Sequence, residues 1–328
     1  MFDDKKILIT GGTGSLGSSL TKKLLETNAK TIRIYSRDEW KQVQMASALN
    51  DDRLRFLIGD VRDKERLIRA TENIDIVIHA AALKHVPIAE YNPFEAVKTN
   101  VNGSQNVIDA CLENNVEIAL AVGTDKAVSP LNTYGATKLL MERLFISANF
   151  YKGEHRTKFS CVRYGNVLGS RGSVVPNFIN QIKTSKKVSI TDLKMTRFNI
   201  VMDQAIKLIF RALNTCSGGE VFIPKLKSYR VEDLKDAIVE LMNVDVVIEN
   251  IAVRPGEKSH EILINKDELK NTFETDDDYI IFDNQMQEFT SFKLPKNVTK
   301  LTDQYSSDNV QLLTKNELKE IIQKEFKI

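Results

Sequence analysis

Lys5-Lys-Ile-Leu-Ile-Thr10 runs straight into Gly11-Gly12-Thr13-Gly14-Ser15-Leu16-Gly17, beyond which Leu20, Leu24 and Leu25 fall on one helical face. A short apolar strand, a glycine turn and an amphipathic helix make the unit that receives a dinucleotide. Gly11 and Gly14 let the backbone approach a pyrophosphate, with Thr13, Ser15 and Leu16 completing the turn and the helix N-terminus favouring negative charge. Gly17 lets the helix pack on the sheet. The spacing is G-x-x-G-x-x-G rather than G-x-G-x-x-G.

Outward from this turn the alternation continues. Thr31–Tyr35 reads as a second strand, followed by Ser36, Arg37, Asp38, Glu39 and Lys41. Ser36 stands where an NAD-binding fold carries an acid for the ribose hydroxyls, and Arg37 and Lys41 suit a 2′-phosphate, so NADP is favoured. Asp38 and Glu39 keep NAD as the alternative. Leu54–Ile58 is a third strand, and Asp60 and Val61 beyond it would meet the adenine. Ile74–His79 is a fourth, ending in Ala80, Ala81 and Ala82, which are small enough for a cofactor to lie against the backbone. Lys84 and His85 follow on the expected substrate side. The pattern predicts a helix over Phe94–Asn114, a fifth strand over Glu117–Val122 and a sixth over Phe159–Tyr164. Strands alternating with helices imply a parallel sheet covered on both faces.

The chain has 328 residues, 42% of them hydrophobic, and Lys+Arg 46 against Asp+Glu 44 gives a net charge of +2. That balance argues against a general nucleic-acid binder, and no apolar run is long enough to span a bilayer. Cys111, Cys161 and Cys216 lack metal-like spacing and read as buried thiols, so a cytoplasmic protein without a metal site is expected. After residue 166 the alternation loosens. The reading is an α/β chain: a Rossmann-like doubly wound parallel sheet over 1–166, then a smaller C-terminal α/β substrate-binding region and tail over 167–328. Within the second part, 203–213 and 231–242 read as helices and 220–223 and 244–251 as strands. From about Asn265 the chain turns polar, closing in a helix after Thr314, whose Thr-Lys-Asn-Glu317 fits a capping box.

Chemistry gathers at Thr124-Asp125-Lys126 and Tyr134-Gly-Ala-Thr-Lys138. Four residues apart on a helix, Tyr134 and Lys138 share a face, and an ammonium beside a phenol favours the phenolate. His79 reads as a core histidine.

Together with Asn100, these residues resemble the extended short-chain dehydrogenase/reductases. His79-Ala-Ala-Ala-Leu-Lys-His-Val-Pro87, Thr124-Asp-Lys126, Arg163-Tyr-Gly-Asn166, Met195-Thr-Arg-Phe198 and Arg254-Pro-Gly-Glu-Lys258 narrow the likeness to nucleotide-sugar 4,6-dehydratases acting on UDP-N-acetylglucosamine. The lysine of Thr-Asp-Lys marks that branch. Tyr134 points to its inverting, soluble members, which open pseudaminic acid synthesis. Gly123 departs from the pattern, where serine is expected. The resemblance implies NADP as cofactor and a homo-oligomer. It makes Tyr134, activated by Lys138, the base at the C4 hydroxyl and Thr124 its hydrogen-bonding partner. Lys126, kept partly neutral by burial beside other cations, would be the C5 base, and Asp125 the acid for the C6 hydroxyl. Lys84, Asn166, Val174, Arg197, Arg254 and Glu257 would hold the substrate, the two arginines on the diphosphate and Glu257 on the uridine ribose. A retaining dehydratase, a UDP-sugar C4 epimerase or ketoreductase, and a non-catalytic NADP-binding protein are the rivals. Asp125-Lys126 counts against the epimerase, and the Tyr134/Lys138 pair against the binding protein.

Overall fold

A computed structural model describes residues 1–170, 172–283 and 299–326. Its centre is a nine-stranded sheet. Strands β1 (Lys6–Thr10), β2 (Thr31–Ser36), β3 (Leu54–Ile58), β4 (Ile76–His79), β5 (Ile118–Val122) and β6 (Lys158–Val162) are mutually parallel. Two short strands, β7 (Lys187–Ile190) and β8 (Thr196–Phe198), lie outside it; β9 (Val221–Pro224) rejoins it parallel to β6. The strands β10 (Ser228–Arg230), β11 (Val247–Asn250) and β12 (Ile262–Ile264) form small sheets elsewhere, β10 with β8 and β11 with β7. The hairpin β13 (Thr272–Glu274) and β14 (Asp278–Ile281) adds two antiparallel strands beyond β9, while β15 (Tyr305–Ser306) pairs with β12. The spatial order is β13-β14-β9-β6-β5-β4-β1-β2-β3.

Because side chains alternate across a strand, Ile7, Ile9, Ile76, Ile78 and Leu120 face one layer and Leu8, Val77, Ala119 and Ala121 the other, all buried. The first layer is closed by the helices α1 (Ser15–Leu25) and, from much later in the chain, Met202–Thr215. The second is closed by Lys64–Thr71, Gly103–Glu113 and Thr133–Tyr151. In chain order the helices after α1 are α2 (Glu39–Leu49), α3 (Lys64–Thr71), α4 (Val86–Tyr91), α5 (Pro93–Val97), α6 (Gly103–Glu113) and α7 (Thr133–Tyr151). Then come α8 (Val174–Ser185), α9 (Met202–Thr215), α10 (Val231–Met242) and α11 (Lys315–Phe326). A separate core joins α8, α10, α11 and β7 over one end of the sheet.

The doubly wound sheet matches expectation, with three differences. The single helix expected over Phe94–Asn114 is broken by a wide π turn at Lys98–Asn102, which carries Asn100. The polar stretch after Asn265 holds a buried hairpin, because Arg211 neutralises Asp278 at 2.5 and 2.7 Å. The strand expected over 244–251 contracts to β11, exposed along its length on the edge of β7. The capping box before α11 is present, with Glu317 Oε2 accepting from Thr314 N at 2.8 Å and Glu317 N donating to Thr314 Oγ1 at 3.2 Å. All three cysteines are buried and unpaired in disulfides.

Candidate active site

A cleft of about 1200 Å³ crosses the carboxyl ends of the parallel strands. Every residue expected to bind cofactor or substrate lines it, as do Thr124, Lys126, Tyr134 and Lys138. Asp125 lies behind, 1% exposed.

At the glycine turn, Gly11 has φ +67°, and a Cβ there would stand 2.9 Å from Ala81 Cα. Gly17 is tight against the turn itself, its Cβ direction meeting Gly12 Cα at 2.5 Å, so its role is to seat α1 on the turn rather than on the sheet. Gly14 is the N-cap and offers no side chain to the first-turn amides, which fits a pyrophosphate as their partner. Beyond β2, Asp38 accepts from Lys41 N at 3.0 Å, capping α2, and pairs with the Lys41 ammonium. The charge expected for a phosphate at Lys41 is therefore already opposed. Arg37 reaches Asp60 at 3.6 Å with more than half its side chain exposed, and Ser36 Oγ accepts from Gln42 at 3.0 Å.

His79 is buried as expected. Thr10 Oγ1 takes the Ala81 amide at 3.3 Å and donates to His79 Nδ1 at 2.8 Å. Ser104 donates to the Asn100 carbonyl at 2.6 Å, which leaves His79 Nε2 to donate to Ser104 at 3.1 Å. Asn100 in turn clasps Leu83 N and O at 2.8 and 3.0 Å and donates to Thr137 at 3.0 Å. The wide turn aims this amide at the strand end that carries Lys84.

Tyr134 lies at the start of α7, whose N-cap Asn132 accepts from Gly135 N. Burial raises its phenol, while the Lys126 charge and the Thr124 hydroxyl pull the other way. The nearby cation acting on the phenol is thus Lys126. Lys138 is turned to the Val122 carbonyl at 2.6 Å and Met141 Sδ at 2.8 Å, and burial lowers its ammonium to about 8.

Lys126 corrects the sequence reading. Its ion-pair partners are carboxylates, Asp125 Oδ1 at 3.1 Å and Glu261 Oε1 at 3.3 Å, with Asn166 Oδ1 accepting at 2.9 Å; the cation Arg197 opposes them more weakly. Burial works against the Lys126 charge, but Asp125 and Glu261 outweigh it and raise the ammonium above its ordinary value. Asp125 Oδ1 also accepts from Thr124 at 3.0 Å. Burial raises the Asp125 carboxyl and the Glu261 charge adds to that, against the pull of Lys126. Glu261 is the site residue that motif reading missed; its only signal was position, three residues beyond Arg254–Lys258.

Farther along the cleft Arg197 is largely committed to protein groups, donating to the Thr196 and Ser259 carbonyls at 2.7 and 3.0 Å with Glu257 at 3.6 Å. Glu257 Oε2 accepts from Arg254 N at 3.3 Å. Gly123, where serine was expected, has its Cβ direction 2.7 Å from the Val162 carbonyl. Among the described residues no cluster of His, Cys, Asp or Glu is arranged to hold a metal, and no helix is long and apolar enough to cross a membrane.

A glycine turn facing a Tyr/Lys helix across a doubly wound sheet defines the extended short-chain dehydrogenase/reductase class. Within it the chain belongs to the polysaccharide biosynthesis protein family, whose model matches residues 7–283. It is 48% identical to a Campylobacter jejuni protein named UDP-N-acetylglucosamine 4,6-dehydratase (inverting), over 98% of each chain. A Rickettsia rickettsii protein named UDP-glucose 4-epimerase is 39% identical, over 98% of this chain and 96% of its own. The solved structure of Pen from Bacillus thuringiensis superposes with a TM-score of 0.92 at 42% identity, covering 98% of this chain and 99% of that one.

Proposed function

We propose that this chain is a UDP-N-acetylglucosamine 4,6-dehydratase that inverts C5, yielding UDP-2-acetamido-2,6-dideoxy-β-L-arabino-hexos-4-ulose. The observation that carries the reading is the Asp125–Lys126 pair, 3.1 Å apart beside Tyr134 in one cleft with the glycine turn. A C4 epimerase, the activity in the Rickettsia relative's name, works at C4 alone and needs no acid/base pair toward C5 and C6. The pair favours the dehydratase.

When bound, the nicotinamide supplies the group that takes hydride from C4 and returns it to C6. Tyr134 takes the C4 hydroxyl proton while Thr124 hydrogen-bonds the same oxygen. The C4 ketone acidifies C5–H, and Lys126, once relieved of a proton, removes it. Asp125, which burial favours in its protonated form, gives its proton to the departing C6 hydroxyl. Reprotonation of C5 from the opposite face inverts that centre. Lys138 holds α7 in register through Val122.

Within the same reading, residues 1–166 hold the cofactor and 167–328 most of the substrate. Ser36 and Arg37 select NADP over NAD, Lys41 adding less because Asp38 opposes its charge; Asp38, spent on capping α2, supports that assignment. Arg197 and Arg254 meet the diphosphate, Asn166 holds the substrate near its phosphates, Glu257 meets the uridine ribose, and Lys84 and Val174 complete the substrate site. Exposed Tyr91, Phe94 and Leu140 support a homo-oligomer. The product would enter pseudaminic acid synthesis in the cytoplasm.

Incubation with UDP-N-acetylglucosamine in D₂O tests the reading. A product lighter by one water, with L-arabino configuration and deuterium at C5, is expected. A D-xylo ketone as the sole first product overturns inversion, and a C4 epimer without loss of water overturns the dehydratase.

A further inference from the structure

The cluster around Lys126 contains a carboxylate that the mechanism above does not use. The Glu261 side chain is 4% exposed; Oε1 faces Lys126, and Oε2 is buried without a hydrogen bond among the described residues. Its main chain is clamped by the segment after residue 299. Glu261 N donates to Ser307 Oγ at 2.9 Å, Ser307 N to Glu261 O at 2.8 Å and Ser306 Oγ to the same carbonyl at 3.3 Å. A half-satisfied buried carboxylate is costly for a fold, and an apolar side chain of similar size would fill the site without that cost.

The cluster has one ammonium and two carboxylates, and their surroundings differ. Asp125 is packed behind Thr124, accepting from it and from Lys126 through the same oxygen. Glu261 is faced by Lys126 and Asp125 from the turn after β5, Arg197 from β8 and Lys258 from its own loop. Tyr134 and Tyr229 stand around the same lysine and aspartate, while His260 is turned to Thr196 at 2.8 Å. Burial opposes the Glu261 charge, but Lys126, Arg197 and Lys258 outweigh it and lower its carboxyl, whereas Asp125 is raised. Two carboxylates pushed apart in this way take different roles.

We propose that Glu261 is a positioning residue of the dehydration step: its carboxylate balances the Lys126 ammonium and leaves the acidic proton on Asp125. This rests on the dehydratase reading. In its amine form Lys126 gains an N–H bond to the C5 proton as the C5–H electron pair passes into the enolate, becoming the ammonium that Glu261 balances. The Asp125 proton leaves with the C6 hydroxyl as water. Ser306 and Ser307 serve the step by fixing the backbone of Glu261.

Glu261→Gln and Glu261→Asp test this, with UDP-N-acetylglucosamine as substrate and NADP⁺ loaded. Glu261→Gln should still allow substrate to reduce the bound cofactor, while water loss and C5 deuterium exchange fall by about 10²–10⁴. Its residual activity should shift to lower pH, because Asp125 loses its proton more readily and Lys126 is held less tightly once the second carboxylate is gone. Glu261→Asp, which keeps the charge, should regain most of the rate and the original profile. Unchanged water loss and pH profile in Glu261→Gln overturn the proposal, as does an equal fall in both half-reactions with a lowered melting temperature, which would mark a merely structural seat. An unmutated protein that never releases water overturns this and the dehydratase reading together.

Discussion

Arg163 grips both oxygens of Glu142, Nη2 to Oε1 at 2.5 Å and Nε to Oε2 at 3.1 Å, inside a core where the arginine is 1% exposed. Glu142 lies on α7 two turns beyond Tyr134, so the pair ties the helix bearing Tyr134 and Lys138 to the end of β6. Glu268 closes the other side of the guanidinium at 2.8 and 3.1 Å and joins a capping box with Asn265. Burial opposes the Arg163 charge, but the two carboxylates outweigh it and raise its pKa.

Arg163→Met should therefore strand the buried Glu142 carboxylate and the half-buried Glu268. The expected loss is about 3–5 kcal/mol, the cost of breaking a buried pair by removing one partner. A thermal melt measures it, and an unchanged melting temperature would contradict the role given to this cluster.

Arg37 is the cation beyond β2 with most of its side chain in solvent, whereas Lys41 is paired with Asp38. The protein should bind NADP⁺ more tightly than NAD⁺, and Arg37→Ala should narrow that gap by about tenfold or more, the weight of one charge-assisted phosphate contact. Titration of both cofactors decides it: equal affinities in the unmutated protein would remove the case for a 2′-phosphate site.

His79 gives a prediction in pH. Burial, followed by the charge of Lys138, lowers its imidazole from 6.5 to about 3. The unfolded chain then binds a proton below about 6.5 that the native chain refuses until about 3. The stability from neutral His79 is whole above 6.5 and is lost as pH falls through that window. Melting temperatures recorded across it should decline, and more gently in His79→Gln. Parallel slopes for the two proteins would count against this residue as a source of acid lability.

The strands and the glycine turn were legible because apolar runs and Gly-x-x-Gly-x-x-Gly are local signals. So was the placement of Thr124, Lys126, Tyr134 and Lys138 in one cleft, although Lys138 turns to Val122 and Met141 and the cation acting on Tyr134 is Lys126. Asn100's wide turn was not, since the sequence pattern there reads as an ordinary helix. Lys126 was misjudged for a physical reason: its charge state depends on Glu261, 135 residues away in sequence and marked by no periodicity. Gly17 is a packing glycine, as its spacing implies, but it packs on Gly12 rather than on the sheet, a contact set by how the turn folds back and by no local pattern.

The return of β9 to the sheet has a consequence for how the chain comes into being. Val221 and Phe222 lie against Cys161 and Val162, so β6 has no outer neighbour until residue 224 has been made. Until then a nascent chain carries a bare ribbon of amides and carbonyls, greasy on both sides, that will accept strands from any similar molecule nearby. The N-terminal half is the first to be synthesised but cannot be sealed on its own, and translation pauses between residues 166 and 224 are where this protein would aggregate or call on a chaperone.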